Sequence, residues 1–150
     1  MPYEYNADVV RVIDGDTVVL NIDLGFDVKL CDQSVRLLGV DAPESRTSDK
    51  IEKTFGLLSK CFVQNFIENC EGKVIVRTYL DDRGKFGRIL GEIINPNSKE
   101  NLNESLIQNG YAVRYFGESK ESIEKMHILN RKKLIDEGIS KLTYQEAGIS

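Results

Sequence analysis

From residue 17 to residue 24 apolar and polar residues alternate, with Val18, Leu20, Ile22 and Leu24 on one side of an extended chain. That pattern leaves few folds open. Residues 8–13 before it are apolar and β-branched, and the Asp14-Gly15 pair between the two runs is a turn signal. A hairpin results, and a lone hairpin cannot bury its apolar face, so further strands must pack with it. Residues 28–38 resume strand character, passing through a further turn near Asp32-Gln33. Three consecutive strands form a meander, and only a strongly curved one brings the ends near Asp14, Asp16 and Asp41 together.

Downstream, residues 42–50 are polar and turn-rich, which predicts a loop. Asp49 and Glu52 have capping-box spacing, and Ile51, Phe55, Leu58, Phe62 and Phe66 recur at steps of three and four. A helix follows to about Asn69, with Gly72 as its stop signal. Gly56 inside it costs about 1 kcal/mol against alanine, which marks a place of close packing on the sheet. Residues 73–80 and 88–94 read as a fourth and fifth strand. Asn101 caps a short helix over roughly 102–109, residues 111–116 are extended, and a last helix spans about 120–137, with Ile123, Met126, Leu129 and Leu134 as its apolar stripe. Residues 139–150 read as a loosely attached tail. Five strongly curved antiparallel strands with a helix between the third and fourth, then two more helices, predict a small barrel of the OB type in a single domain.

Two acidic turns and one basic turn carry chemistry. Asp14-Gly15-Asp16-Thr17 is the first. Val35-Arg36-Leu37-Leu38-Gly39-Val40-Asp41-Ala42-Pro43-Glu44 is the second: an apolar strand with one arginine that ends in two carboxylates around a proline. Gly84-Lys85-Phe86-Gly87-Arg88 is the third. A phosphodiester is anionic, so a divalent cation held by carboxylates and arginines aimed at the phosphate are what its hydrolysis needs. The one histidine, His127, has no partners spaced for a zinc site, and Cys31, Cys61 and Cys70 form no metal pattern and read as ordinary thiols. A metal site here is therefore oxygen-rich, suited to calcium, magnesium or manganese.

The formal charge of −4 argues against a protein that coats nucleic acid, though not against one that grips a single phosphate locally. No segment has the length and apolarity to cross a bilayer, and the first residues lack the basic and apolar regions of a signal peptide. The expectation is an intracellular chain if it is full length, secreted only if a leader was removed, and a monomer.

Those three motifs, in that order, resemble the staphylococcal nuclease (thermonuclease) family. Asn103-Glu104-Ser105-Leu106 followed by Gly110-Tyr111-Ala112 is similar to the family's later half, so the resemblance covers roughly residues 8–137. It implies an OB barrel with three helices and calcium-dependent hydrolysis of DNA and RNA that leaves 3′-phosphate ends. By position, Asp16, Asp41 and the Ala42 backbone carbonyl match metal ligands, with Thr17 beside them. Glu44 matches the residue assigned to water activation. Arg36 and Arg88 match the phosphate-binding arginines. Lys85 resembles a lysine on a second substrate phosphate, and Tyr115 a tyrosine that packs on the nucleotide, although its spacing from Gly110 is one residue short. Phe86 stands where a tyrosine is common, and Ser140 where a tryptophan is. Asp14 reads as a turn residue or an outer helper.

Simpler readings compete. Arg36 alone would pass for a surface residue paired with Glu44. Asp16 and Asp41 singly are ordinary turn aspartates, and Tyr111, Tyr115 and Phe86 are packing groups before they are stacking platforms. His127 reads as a surface or half-buried helix residue. The competing function is an OB-type nucleic-acid-binding module, which holds its ligand with a groove and aromatics and needs no metal. Retention of the whole acidic and arginine set favours catalysis.

Overall fold

The structure, a computed structural model, describes residues 3–79 and 89–149. Lys85, Phe86 and Arg88 lie outside the described residues. Strands β1 (Tyr3–Asp14), β2 (Thr17–Gly25), β3 (Val28–Leu37), β4 (Val40–Asp41), β5 (Lys73–Tyr79), β6 (Ile89–Ile94) and β7 (Val113–Arg114) are joined by helices α1 (Lys50–Asn69), α2 (Leu102–Gln108) and α3 (Lys120–Asp136). Five strands close into a barrel in the order β1-β2-β3-β6-β5, and β4 pairs with β7 in a small ribbon outside it. The expected OB-type barrel with three helices is the observed fold.

Closure comes from strongly coiled strands. Register shifts interrupt β1–β2 and β2–β3 pairing, each adding local twist. One of them replaces the turn expected near Asp32. The chain stays extended there as a bulge, with Asp32 at φ 53° and its N–H donated to Asn21 Oδ1 at 2.9 Å. The actual reversal is at Phe26-Asp27, both at positive φ as a tight hairpin turn requires. The strands are not all antiparallel either. β5 runs antiparallel to β1 and β6 antiparallel to β5, so β6 meets β3 in the parallel sense, with Leu90 opposite Arg36.

Val18, Leu20 and Ile22 of β2 point inward as expected, joined by Val35, Leu37, Val74, Val76 and Ile93. Leu24 does not, because the β2–β3 hairpin runs past the barrel and leaves it exposed. Val63, Phe66 and Ile67 of α1 and Leu102 and Leu106 of α2 complete this core. Helix α1 begins where predicted: Asp49 accepts from the N–H groups of Ile51 and Glu52. Its inward face is rotated slightly from the expected stripe and includes Gly56, Ser59 and Val63.

A second cluster joins Phe55 of α1 to Leu134 of α3 and to Ala147. The segment expected to trail loosely thus packs on the helices: Ala147 is fully buried and Leu142 and Ile149 lie against the same cluster. No helix of the described residues is long and apolar enough to cross a membrane.

Candidate active site

Arg36 sits near the end of β3, opposite Thr17 across the β2–β3 pair. That register sets it beside the first acidic turn. Its Nη1 lies 3.0 Å from Asp16 Oδ2, and its Nη2 is 3.9 Å from Asp41 Oδ1 and donates to the Val40 carbonyl at 3.2 Å. The simple alternative, an exposed arginine paired with Glu44, is not what the described residues show. One guanidinium gathers Asp16 and Asp41, the two carboxylates matched by position to metal ligands, and all three groups are half-buried.

The turn between β3 and β4 makes this possible. Gly39 takes φ +72°, a conformation costly for other residues, and a Cβ there would press on the Phe116 ring. Buried Asn103 of α2 holds the turn from below, donating from Nδ2 to the carbonyls of Leu38 and Gly91 and accepting the Ile93 N–H. The chain then enters β4, where Asp41 pairs with Val113 of β7. Ala42 follows, and its N–H donates to Asp16 Oδ2 at 3.2 Å. Thr17 Oγ1 donates to Asp16 Oδ1 at 3.0 Å, so both oxygens of Asp16 are fixed. Tyr115 lies at the edge of this ribbon, its N–H donated to the Gly39 carbonyl.

Glu44 is exposed, and its side chain makes no hydrogen bond among the described residues. Its backbone, by contrast, is tightly held. Asp14 accepts from the N–H of Ser45 at 3.1 Å and from its hydroxyl. Asp14 is therefore the helper of the loop, more than a turn former. Beneath the same peptide lies Gly56 of α1, where an added Cβ would fall 2.2 Å from the Glu44 carbonyl oxygen. The close packing marked by this glycine is with the Glu44 loop and not with the sheet. Ser59, one turn on, donates to the Tyr111 carbonyl at 2.5 Å, and its Cβ is 2.7 Å from where a side chain on Gly15 would begin. Both acidic turns thus rest on one small-residue face of α1.

Gly56→Ala should show this. A methyl would favour the helix by about 1 kcal/mol. Contact at 2.2 Å with backbone has no soft partner to yield, and overpacking of this kind costs about 1–3 kcal/mol. Urea unfolding should give a net loss of stability, together with a loss of whatever activity depends on Glu44. A variant as stable as the parent would mean that the loop gives way freely.

Helix α3 adds His127, a half-buried helix residue as expected but with a contact to the site that the sequence does not reveal. His127 Nε2 lies 2.7 Å from Asp41 Oδ2, across 86 residues of chain. The inward face of α3 is Ile123, His127, Asn130, Arg131 and Leu134, while Met126 and Leu129, expected in the stripe, are 48% and 57% exposed. The acidic surroundings register on Glu52: burial pushes its carboxyl upward, the carboxylates of Glu44 and Asp49 push it further, and Arg131 and His127 oppose them.

As a cation site, the described residues offer hard oxygens. No three His, Cys, Asp or Glu side chains among them are spaced to hold a metal alone. Two carboxylates brought within reach of one guanidinium, with a peptide tied to one of them, could supply part of an oxygen shell. Calcium accepts such a shell, because backbone carbonyls and waters complete it.

Residues 34–137 match the family described as staphylococcal nuclease homologue, most of the chain. The chain belongs to the staphylococcal nuclease family. It is 31% identical over 118 residues to endonuclease YhcR of Bacillus subtilis strain 168, a match covering 75% of this chain and 9% of that protein. It is 30% identical over 109 residues to thermonuclease of Staphylococcus hyicus, covering 73% of this chain and 59% of the relative. An uncharacterized protein of Methanocaldococcus jannaschii, MJ1439, is 30% identical over 129 residues, covering 74% and 59%. The chain therefore spans less than two thirds of the length of each of these relatives. The family match takes in Arg36, the second acidic turn and all of α3; the first acidic turn precedes it.

Proposed function

We propose that this protein is a calcium-dependent endonuclease that hydrolyses phosphodiester bonds in DNA, RNA or both and leaves 3′-phosphate ends. The observation that carries the reading is the convergence of Asp16 and Asp41 on Arg36, in a chain of the staphylococcal nuclease family. Asp16, Asp41 and the Ala42 carbonyl would hold the cation, with magnesium or manganese as the other hard ions this donor set accepts. When bound, the cation neutralises phosphate charge and polarises the phosphorus–oxygen bond.

The protein's own groups do the rest. Glu44 orients a water and takes its proton as the oxygen attacks phosphorus. The bond from phosphorus to the 5′ oxygen breaks, the leaving oxygen takes a proton from solvent, and the phosphate stays on the 3′ side. Charge grows on the non-bridging oxygens, where Arg36 and Arg88 donate. Lys85 meets a neighbouring substrate phosphate, and Phe86 and Tyr115 pack along the nucleotide. The proposed site is that of a monomer.

End-labelled single-stranded DNA, duplex DNA and RNA, each offered calcium, magnesium or a chelator, test the reading. Cleavage should require calcium, stop on chelation and yield 3′-phosphate ends. Binding of DNA with no cleavage under any metal would overturn it in favour of the OB-type binding module.

A further inference from the structure

Asp41 is held from two sides. Arg36 approaches Oδ1 from the barrel, and His127 meets Oδ2 from α3 at 2.7 Å. The second contact is the shorter, and the imidazole is the more enclosed partner, its side chain 15% exposed against 33% for Asp41. His127 is also the chain's one histidine. We infer that His127 is a positioning residue, which locks the Asp41 carboxylate so that its other oxygen faces the Asp16 and Arg36 side. The inference rests on the reading of Asp41 as a cation ligand.

The fold around the ring is built to keep it there. One turn along α3, Asn130 donates from Nδ2 to the Ala112 carbonyl at 3.1 Å. Ala112 precedes Val113, which pairs with Asp41 itself. Helix and carboxylate are therefore pinned to the same short ribbon, so the imidazole and Asp41 cannot drift apart independently. Further along, Leu134 seats the helix in the cluster with Phe55 and Ala147. His127 Nδ1 is buried without a partner among the described residues, as is Arg131 Nε, and the two side chains line one small crevice with Pro43 and Ser59. Nε2 is the nitrogen with a protein partner, and that partner is Asp41.

This arrangement is the reverse of the usual outer shell of a metal site, where a carboxylate orients a ligating histidine. Here an imidazole orients a ligating carboxylate. The physical effect is the same, since a ligand fixed in advance loses less freedom on binding. Loss of such an outer contact typically weakens metal binding about 10- to 100-fold. Anchoring of α3 does not depend on it, because Ile123, Leu134 and Asn130 remain.

Calcium titration calorimetry on the wild type, His127→Ala and His127→Gln gives the test, with urea unfolding and kcat and KM for DNA cleavage alongside. Glutamine carries an N–H donor at the reach of Nε2, while alanine carries none. Alanine should weaken calcium binding by about tenfold or more and glutamine should restore most of it, with the unfolding midpoint of the metal-free protein unchanged in both. Equal calcium affinity in the wild type and His127→Ala, with both cleaving, would overturn this inference and leave the nuclease reading intact. Affinity lost equally in both variants together with the unfolding midpoint would also overturn it, as a structural role. A wild type that binds no calcium and cleaves nothing would overturn the nuclease reading, and this inference with it.

Discussion

Glu44→Gln should lower the turnover of DNA cleavage by about a thousandfold, within the range of about 10²–10⁴ for a general base, and leave calcium affinity and unfolding nearly unchanged. Glutamine has the size and reach of glutamate but cannot take a proton from water. The loop should hold its shape, because its fixed points are elsewhere: Ser45 is bound by Asp14, and Gly56 of α1 supports the Glu44 peptide. The Glu44 side chain is exposed and forms no hydrogen bond among the described residues, so no folded-state contact is lost. Its freedom is limited by Pro43 before it and Ser45 after it. Glu44→Asp separates two roles. If proton uptake is the main task, aspartate retains much of the rate. If position is the main task, the shorter side chain fails nearly as badly as glutamine. Near-normal turnover in Glu44→Gln would sink the assignment, and the base would have to be sought elsewhere.

Much of this site could be read directly, because it is local in sequence. Asp41 and Glu44 lie three residues apart on one turn, and Arg36 lies on the strand that feeds it. Helix α1 was legible for the same reason, with its cap and its apolar period both present in the chain itself. The bulge at Asp32 was not. A polar Asp-Gln pair in a strand looks like a turn, and the fold shows that the strand continues, with Ile22 paired to Leu30 beyond the bulge and the Asp32 N–H donated to Asn21.

The face of α3 was legible in part, since Ile123 and Leu134 are buried as expected, and the rest was missed for a more telling reason. Periodicity locates a buried stripe by its apolar residues. The buried stripe of α3 carries His127, Asn130 and Arg131, because it covers a polar site as well as a hydrophobic cluster. Met126 and Leu129 supplied the apolar signal and lie outside. A helix whose inward face is mixed, and whose outward face is partly apolar, defeats the pattern at the place where it touches the site. Gly56 was half legible: a glycine in mid-helix announces close approach, but only the fold tells that the neighbour is the Glu44 peptide.

Arg36→Lys should cost about 10²–10³ in kcat although it keeps the charge. The side chain has three tasks in the structure: Nη1 on Asp16, and Nη2 on the Val40 carbonyl and toward Asp41. A planar fork can satisfy these and still present N–H groups to a phosphate. A lysine ammonium is one compact point at the end of a flexible stem, and two carboxylates within reach would hold it on the protein side. What is lost is a donor already aimed where charge grows in the transition state, so the effect belongs in kcat more than in KM. Single-turnover cleavage at saturating calcium, with Arg36→Ala in parallel, measures this. If lysine is as poor as alanine, the forked geometry and not the charge is what the reaction uses. If lysine turns over within about threefold of the wild type, charge alone suffices and Arg36 serves chiefly to hold Asp16 and Asp41 together.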